Sequence, residues 1–545
     1  MVIVRVLRLL LVLSIALTSA CATSGGYWVP PSSPPTQAPE ELASLETVVA
    51  ELKTATVVSI TSEPEPTEVA DPVTSEPSAT TTLSASETFV APTSIVPTAT
   101  PLISVVNTSP ILYYAQAADT IKVVAVRFGV QPAEISSPQP IPEAGFINPG
   151  QLLIIPRKLS NTTASKQLIP DSEVVFSPSA VNFDAQAFAV QAGGYLGSYD
   201  EWHKSTGSKP GGEVVWRVAL ENSINPRLLM SLMEYQTHWV YGQPEPSSMV
   251  EFPMGYKSLS EKGLYNQLVW AVNQLSIGYY AYREGRLTEI NFPDGTVARL
   301  APDLNAGTAA LQYFFAQLYR GERWLEALDP VNGFPALHAR MFGNPWERAQ
   351  TVEPLYPPGI VQPPLTLPFG RNWTWSYTGG PHGAWEHDGA YAAVDFAPGS
   401  TESGCVESPA WVVAAADGLV VRTGPGLVVV DLDGDGYEQT GWVLIYLHVA
   451  TKDQIPIGSW VAQGDPLGHA SCEGGFATGT HLHFARKYNG EWVPADGPLS
   501  FNLGGWIAHA GIMAYKGTLT RDGVTVTACT CSNAASFVIR TNADP

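Results

Sequence analysis

Thr480-His481-Leu482-His483-Phe484 decides how the C-terminal part of this chain is read. Residues i and i+2 of a strand share a face, so His481 and His483 point one way while Leu482 and Phe484 point into a core. Alone, His-x-His is a weak signal in a chain with ten histidines. Three preceding elements strengthen it: Gly379-Gly380-Pro381-His382, Ala393-Val394-Asp395-Phe396 and Ile445-Tyr446-Leu447-His448-Val449. The last two set a polar residue inside an apolar β-like run, where Val or Thr would serve a plain strand. Seven of the ten histidines lie between His382 and His509, which favours a site over scattered core histidines. Two histidines and a carboxylate make a catalytic zinc set with one position left for water. Two further histidines then remain for acid–base work.

With Ala414-Ala415-Ala416-Asp417-Gly418 ahead of a Val-rich strand, and Gly464-Asp465-Pro466-Leu467-Gly468, these motifs make residues 365–510 resemble zinc endopeptidases of the lysostaphin/LytM/β-lytic type. The resemblance implies an antiparallel all-β peptidase domain at 368–510 that uses a zinc-activated water to cut peptide cross-links of bacterial peptidoglycan. Position by position, it implies His382, Asp395 and His483 as zinc ligands and His448 and His481 as the catalytic, non-ligand pair. One of that pair would take a proton from the water, and the other would serve the oxyanion or the leaving amine. Twelve residues separate His382 from Asp395, a spacing closer to the β-lytic branch than to members with His-x-x-x-Asp. His387 lies in that insert and is the alternative ligand to His382. A wall-binding lipoprotein that activates another hydrolase without cutting is the non-catalytic alternative; retention of all five residues favours the enzyme.

The N-terminus supplies an address. Arg5 and Arg8, the apolar run Leu9 to Leu17 and the small residues Thr18-Ser19-Ala20 read as a signal peptide over 1–20. Cys21 follows where a bacterial lipobox places the acylated residue. The expectation is an exported chain, lipid-anchored to the cell envelope, or secreted if Cys21 is not acylated. Residues 21–108 continue as a Pro/Ser/Thr/Glu-rich stretch with ten acids and one base, Lys53, too poor in apolar surface to offset ordering entropy. It is expected to be a disordered tether.

Residues 109–158 combine Tyr113-Tyr114, Ala118-Asp119-Thr120-Ile121 and Asn148-Pro149-Gly150-Gln151-Leu152, and resemble a LysM domain. That resemblance implies a small βααβ module binding N-acetylglucosamine-containing glycan. Ala118 stands where the family normally has Gly, and Asp119 is read as the cap of the first helix. Over 180–350, periodic runs at 183–195, 213–221, 226–240, 262–284 and 304–321 predict an α-helical domain. Glu234, after Asn225-Pro226, has a loose likeness to the general acid of lysozyme-like transglycosylases. A bifunctional hydrolase that also cuts glycan strands is therefore a further alternative to a capped surface Glu. Pro-rich 351–367 reads as a linker, and 511–545 as a C-terminal β extension.

Asp431, Asp433 and Asp435 stand at positions 1, 3 and 5 of a calcium-loop pattern that lacks its Glu at position 12; Ca²⁺ and an acidic Gly-rich turn are the two readings. With Cys21 lipidated, four cysteines remain. A Cys405–Cys472 disulfide is expected because each lies in a loop beside a core strand of the site, leaving Cys529 and Cys531 paired locally or free. Fifty acids against 29 bases, net −21, argue against nucleic acid as a partner.

Overall fold

The computed structural model describes residues 109–385, 388–531 and 533–544. The segments read as signal peptide, acylated Cys21 and tether lie outside the described residues, as does His387. Among the described residues, no helix is long and apolar enough to cross a membrane.

Strand β1 (Ile111–Tyr114) pairs antiparallel with β2 (Leu152–Ile155), enclosing one α-helix, Ile121–Phe128, and a 3₁₀ turn, Pro132–Glu134. The expected second α-helix is thus reduced to a single turn. Pro132, Pro138, Pro140, Pro142 and Pro149 deny that stretch the N–H donors a helix needs. The helix cap is Thr120, whose side chain accepts from Val123 N–H, and not Asp119. Asp119 turns inward instead, pairing with buried Arg127 and accepting the Tyr113 hydroxyl at 2.6 Å. Ala118 adopts φ +62°, a left-handed conformation in which glycine is the ordinary residue. The loop around it does not face open solvent. Gln116 Nε2 donates to the carbonyls of Asp303 and Leu304, and Phe146 packs 5.8 Å from Tyr356.

The middle region is helical, as its periodicity predicts. Its longer helices are Ala185–Ala192, Gly211–Asn222, Pro226–Thr237, Leu264–Arg283, Ala306–Ala316 and Phe334–Phe342. Two short hairpins are added, β3 (Asp200–His203) with β4 (Gly207–Pro210) and β5 (Glu289–Asn291) with β6 (Val297–Arg299). The expected linker is no free tether: Leu355, Tyr356, Leu365 and Leu367 are buried.

The C-terminal region is β-rich. It comprises β7 (Thr374–His382), β8 (Ala393–Pro398), β9 (Trp411–Val413), β10 (Gly418–Gly424), β11 (Gly426–Asp431), β12 (Trp442–Val449), β13 (Trp460–Val461), β14 (Pro466–His469), β15 (Leu482–Tyr488), β16 (Glu491–Trp492), β17 (Asn502–Leu503), β18 (Trp506–Ala510), β19 (Gly517–Arg521), β20 (Val524–Thr527) and β21 (Phe537–Ile539). Nine of these form one antiparallel sheet in the order β13-β10-β11-β12-β15-β8-β7-β21, with β16 on β15. Segment 511–545 is integral to this region and not appended to it, because β18 pairs with β19 and β21 closes the edge of the large sheet on β7.

Side chains alternate across the sheet. Val394, Phe396, Leu444, Tyr446, Leu482 and Phe484 point into one core. Ala393, Val443, Ile445 and Ala485 point the other way, into a core shared with the helical domain.

Candidate active site

Register brings the candidate ligands together. His483 on β15 lies directly opposite Asp395 on β8, and Gly379 on β7 lies opposite Asp395 from the other side. The β7–β8 register slips twice between Tyr377 and His382, which re-aims His382 at the end of its strand. Gly379 must be glycine because a Cβ there would stand 2.9 Å from Asp395 Cγ and 3.0 Å from its Cβ. Another bulge places His448. The β11–β12 register steps from Gly426↔Val449 to Leu427↔Leu447, leaving His448 unpaired at φ +65°. Regular alternation would send His448 into the core beside Leu444 and Tyr446; the extra residue turns it toward the other histidines. Left-handed backbone at a non-glycine residue costs roughly 1 kcal/mol.

His382 Nε2 and His483 Nδ1 are 3.0 Å apart, and Asp395 Oδ1 lies 3.3 Å from each. The outer nitrogens are committed elsewhere. His382 Nδ1 donates to Gly380 O at 2.8 Å and His483 Nε2 to Ala384 O at 2.9 Å. His448 and His481 repeat the arrangement, their Nδ1 atoms donating to Glu473 O and Gly479 O, each at 2.8 Å. A carbonyl can only accept, so each ring carries its N–H outward and turns its other nitrogen toward the common point. His481 Nε2 stands 4.0 Å from Asp395 Oδ1. All but His481 are buried.

The electrostatics describe a cradle for a cation. Burial opposes ionisation of Asp395, yet His382, His483 and His481 together hold its carboxyl well below the usual range. Burial lowers His382, but Asp395 more than compensates and raises it, a proton taking the place of a cation. Burial pushes His483 down, and burial with neighbouring His481 and His483 pushes His448 down to about 3, so His448 is neutral. Asp395 Oδ1 is buried without a hydrogen-bond partner of acceptable geometry among the described residues. Two imidazole nitrogens 3.0 Å apart, converging on that orphaned oxygen, fit a zinc ion by donor chemistry.

Sequence reading did not find everything that builds the site. The four carbonyls that orient the rings carry no sequence signal. Tyr515 stacks on the His382 ring with centroids 4.0 Å apart, and its phenol, raised by burial and by Asp395, stays protonated. Only the β18–β19 turn brings it there.

Other expected positions fall outside this cluster. Glu234 Oε2 accepts the N–H groups of Val240 and Tyr241 at 2.9 and 3.0 Å, stapling the loop after its helix. The carboxylates of Asp431, Asp433 and Asp435 gather within 4.8 Å, but Asp431 caps Gly436 N–H and Asp435 caps Tyr437 N–H of their own turn. Cys405 is bonded to Cys472, and Cys529 to Cys531.

The fold brings His382, Asp395 and His483 into one group that could hold a metal ion, with His448 and His481 beside it. Residues 403–495 match the family described as peptidase family M23, and residues 167–355 match the LasA N-terminal domain. The M23 match takes in His448, His481 and His483; His382 and Asp395 precede it and join the site through β7 and β8. The chain is similar to Protease LasA of Pseudomonas aeruginosa, with 28% identity over 306 residues in strain UCBPP-PA14, covering 52% of this chain and 68% of LasA. LasA of strain PAO1 matches with 28% identity over 310 residues, with the same coverage. Among solved structures, the deep-sea M23 metalloprotease pseudoalterin is 25% identical, covering 31% of this chain and 96% of its own, at a TM-score of 0.25. The lysostaphin catalytic domain of Staphylococcus simulans is 24% identical, covering 23% and 90%, at 0.17. The match to peptidase family M23 therefore falls within the β-rich C-terminal region, over residues 403–495. The comparisons give no support to calcium or to a LysM domain.

Proposed function

We propose that this chain is an exported zinc metalloendopeptidase that hydrolyses peptide cross-links of bacterial peptidoglycan. The observation that carries the reading is the convergence of His382 Nε2, His483 Nδ1 and Asp395 Oδ1, each ring fixed by a carbonyl behind it, with His448 and His481 alongside. Zinc held by these three supplies a Lewis acid and an acidified water. The chain's own residues do the rest. His448 and His481 donate outward through Nδ1, so each presents an Nε2 lone pair to the cleft and can take up a proton there. Their rings lie 4.4 Å apart, close enough for one to receive a proton while the other returns one to the leaving amine. Asp395 stays ionised and supplies the negative charge of the ligand set, while the Gly380 and Ala384 carbonyls orient the two imidazoles. Tyr515 keeps His382 in plane and excludes water from one side of it.

Acylation of Cys21 and glycan binding by residues 109–158 belong to the same proposal, as the anchor and the address of the enzyme on the wall. The test is mass spectrometry of fragments released from purified peptidoglycan, with a His483→Ala variant and a chelator-treated sample in parallel. New peptide ends that vanish in both controls, and return on adding zinc to the chelated enzyme, are expected. Intact peptides with retained wall binding would replace the enzyme by a non-catalytic activator, and new glycan ends would point to Glu234.

A further inference from the structure

The helical region carries a cavity of about 730 Å³, within the size range of small-molecule sites. It lies between the C-terminal ends of the helices Pro226–Thr237 and Ala306–Ala316 and the segment 245–257, and none of its lining residues belongs to the candidate active site. Its lining inverts the charge of the chain. Lys257, Arg320 and Arg323 stand there against one carboxylate, Glu245, in a protein with 29 bases and 50 acids. Arg320 lies 3.7 Å from Asp294, whereas Lys257 and Arg323 form no ion pair among the described residues. Arg323 is held by the Tyr319 ring, 4.4 Å from its guanidinium.

An orphaned donor sits in the same lining. The Tyr319 hydroxyl donates to Gln236 Oε1, which fixes that amide, and Gln236 Nε2 is left buried with no hydrogen-bond partner among the described residues. Gly255 presses on the amide from the cavity's third wall, at φ +81°, where an added Cβ would stand 3.0 Å from Oε1. A buried N–H without a partner costs stability, and a group retained at that cost serves an acceptor that comes from outside. Tyr256 also lines the cavity, with one face stacked on Trp270 at 4.3 Å and 3°, so its remaining surface is a rigid apolar platform. Ammonium, guanidinium and amide N–H groups are all donors, and they select an acceptor-rich anion; the flat ring beside them suits the C–H face of a sugar. We propose that the helical region holds a second, non-catalytic binding site for an acidic saccharide, a sugar ring that bears a carboxylate or a phosphate. This rests on the proposed function only for the source of the ligand, the polymers of the cell wall, where the site would help to seat the enzyme on its substrate.

The test is calorimetric titration of the full chain with N-acetylmuramic acid, N-acetylglucosamine 1-phosphate, neutral N-acetylglucosamine and inorganic phosphate. At least one acidic sugar is expected to bind about tenfold or more tighter than the neutral sugar, the worth of one hydrogen bond to a charged group. The Lys257→Gln/Arg323→Gln variant is expected to bring that sugar down to the level of the neutral one with Tm unchanged, because both side chains are exposed. Tighter binding of the carboxylate sugar would identify the ligand as part of a glycan strand, and tighter binding of the phosphate sugar as part of a phosphorylated wall polymer. Equal binding of acidic and neutral sugars, inorganic phosphate as tight as either acidic sugar, or acidic-sugar binding unchanged in the variant overturns the proposal. None of these readouts involves cleavage, so that failure leaves the peptidase reading standing, and failure of the wall-cleavage assay leaves a measured saccharide site standing.

Discussion

Gly379→Ala adds one methyl group and tests the site's construction. The new Cβ would lie 2.9 Å from Asp395 Cγ and 3.0 Å from Asp395 Cβ, with the nearer carboxylate oxygen closer still. Carbon atoms rest comfortably at about 3.5–4.0 Å, so Asp395 or β7 must yield by roughly 0.5–1 Å. Asp395 cannot retreat within its strand, because β8 is paired on both sides, to β7 and to β15. The carboxylate therefore swings out of the point it shares with His382 and His483. Misplacing a reacting group by about 1 Å costs on the order of 10²-fold in rate, while overpacking costs about 1–3 kcal/mol of stability. The expected outcome is a folded protein, slightly lower in Tm, that retains little zinc and has lost about two orders of magnitude in kcat/KM on wall fragments. Gly399→Ala, just beyond β8, where an added Cβ meets nothing within 4 Å, is the matched control and should change neither quantity. A Gly379→Ala enzyme with full zinc content and full activity would refute the placement of Asp395 in the metal set.

Three further outcomes follow from contacts away from the ligands. Replacing Cys405 and Cys472 together by Ser opens a covalent link between residues 67 apart, worth up to about 4 kcal/mol of chain entropy, and frees the loop whose carbonyls hold His448 and His481. Denaturant midpoint and kcat should both fall, and a fall in stability with unchanged kcat would count against that positioning role. Glu491, on β16, is raised to about 7 by burial, with Arg283 opposing and Asp171 adding to the shift. A folded value above the ordinary 4.5 means that its stabilisation is complete below about pH 4.5 and is lost as pH rises to about 7. Wild type should therefore lose on the order of 3 kcal/mol relative to Glu491→Gln between those limits, read as the difference in denaturant midpoints at pH 4.5 and 8; parallel pH curves would contradict it. Trp492, buried with its indole N–H donated to Asn222 O at 3.2 Å, ties β16 to the helical domain, and Trp492→Ala should cost about 3–5 kcal/mol by thermal unfolding.

Period-2 alternation placed Leu482 and Phe484 in the core and turned His481 and His483 away from it; within β15 Leu482, His483 and Phe484 obey it, and the register that sets His483 opposite Asp395 came only with the structure. The same logic fails at His448, where a bulge that no sequence periodicity announces rotates one residue to the other face. It also fails at the start of the first small module, where Thr120 takes the cap that Asp119 was assigned because a buried Arg127, eight residues on, claims the carboxylate. Five of the middle region's longer helices were legible from their apolar stripes, and Phe334–Phe342 was not among the runs read. The hairpins at 200–210 and 289–299 were not legible, being too short to show a period. The Gly379-Gly380 pair was visible, but its reason was not. Neither glycine has a left-handed φ; Asp395 crowds the first, and the backbone of Lys516 and Gly517 crowds the second.

One signal in the strands has a wider meaning. Val443, Leu444, Ile445 and Tyr446 are all essentially inaccessible, and a strand buried on both faces needs cover on both. One cover is the peptidase's own second layer. The other is the helical domain, whose core runs on without a break into Leu427, Val429, Val443, Ile445, Ala485 and Trp492. Asp395 and His483 lie on that same face, beside Ala393 and Ala485, so the cleft opens at the margin of the contact between domains. Residues 388–392, just ahead of β8, lie along this margin. Gly389 approaches Ser276 so closely that an added Cβ would stand 3.2 Å from its Cβ, and Arg286 lies over Tyr391 at 5.0 Å. Ala384 and Ala390 are buried in the shared core. Because the Ala384 carbonyl orients His483, the packing of the helix Leu264–Arg283 against this segment is part of what aims the His483 ring. The helical region is therefore joined to the candidate site by two steps, from helix to loop and from loop carbonyl to the His483 imidazole, and it helps to hold that site in shape.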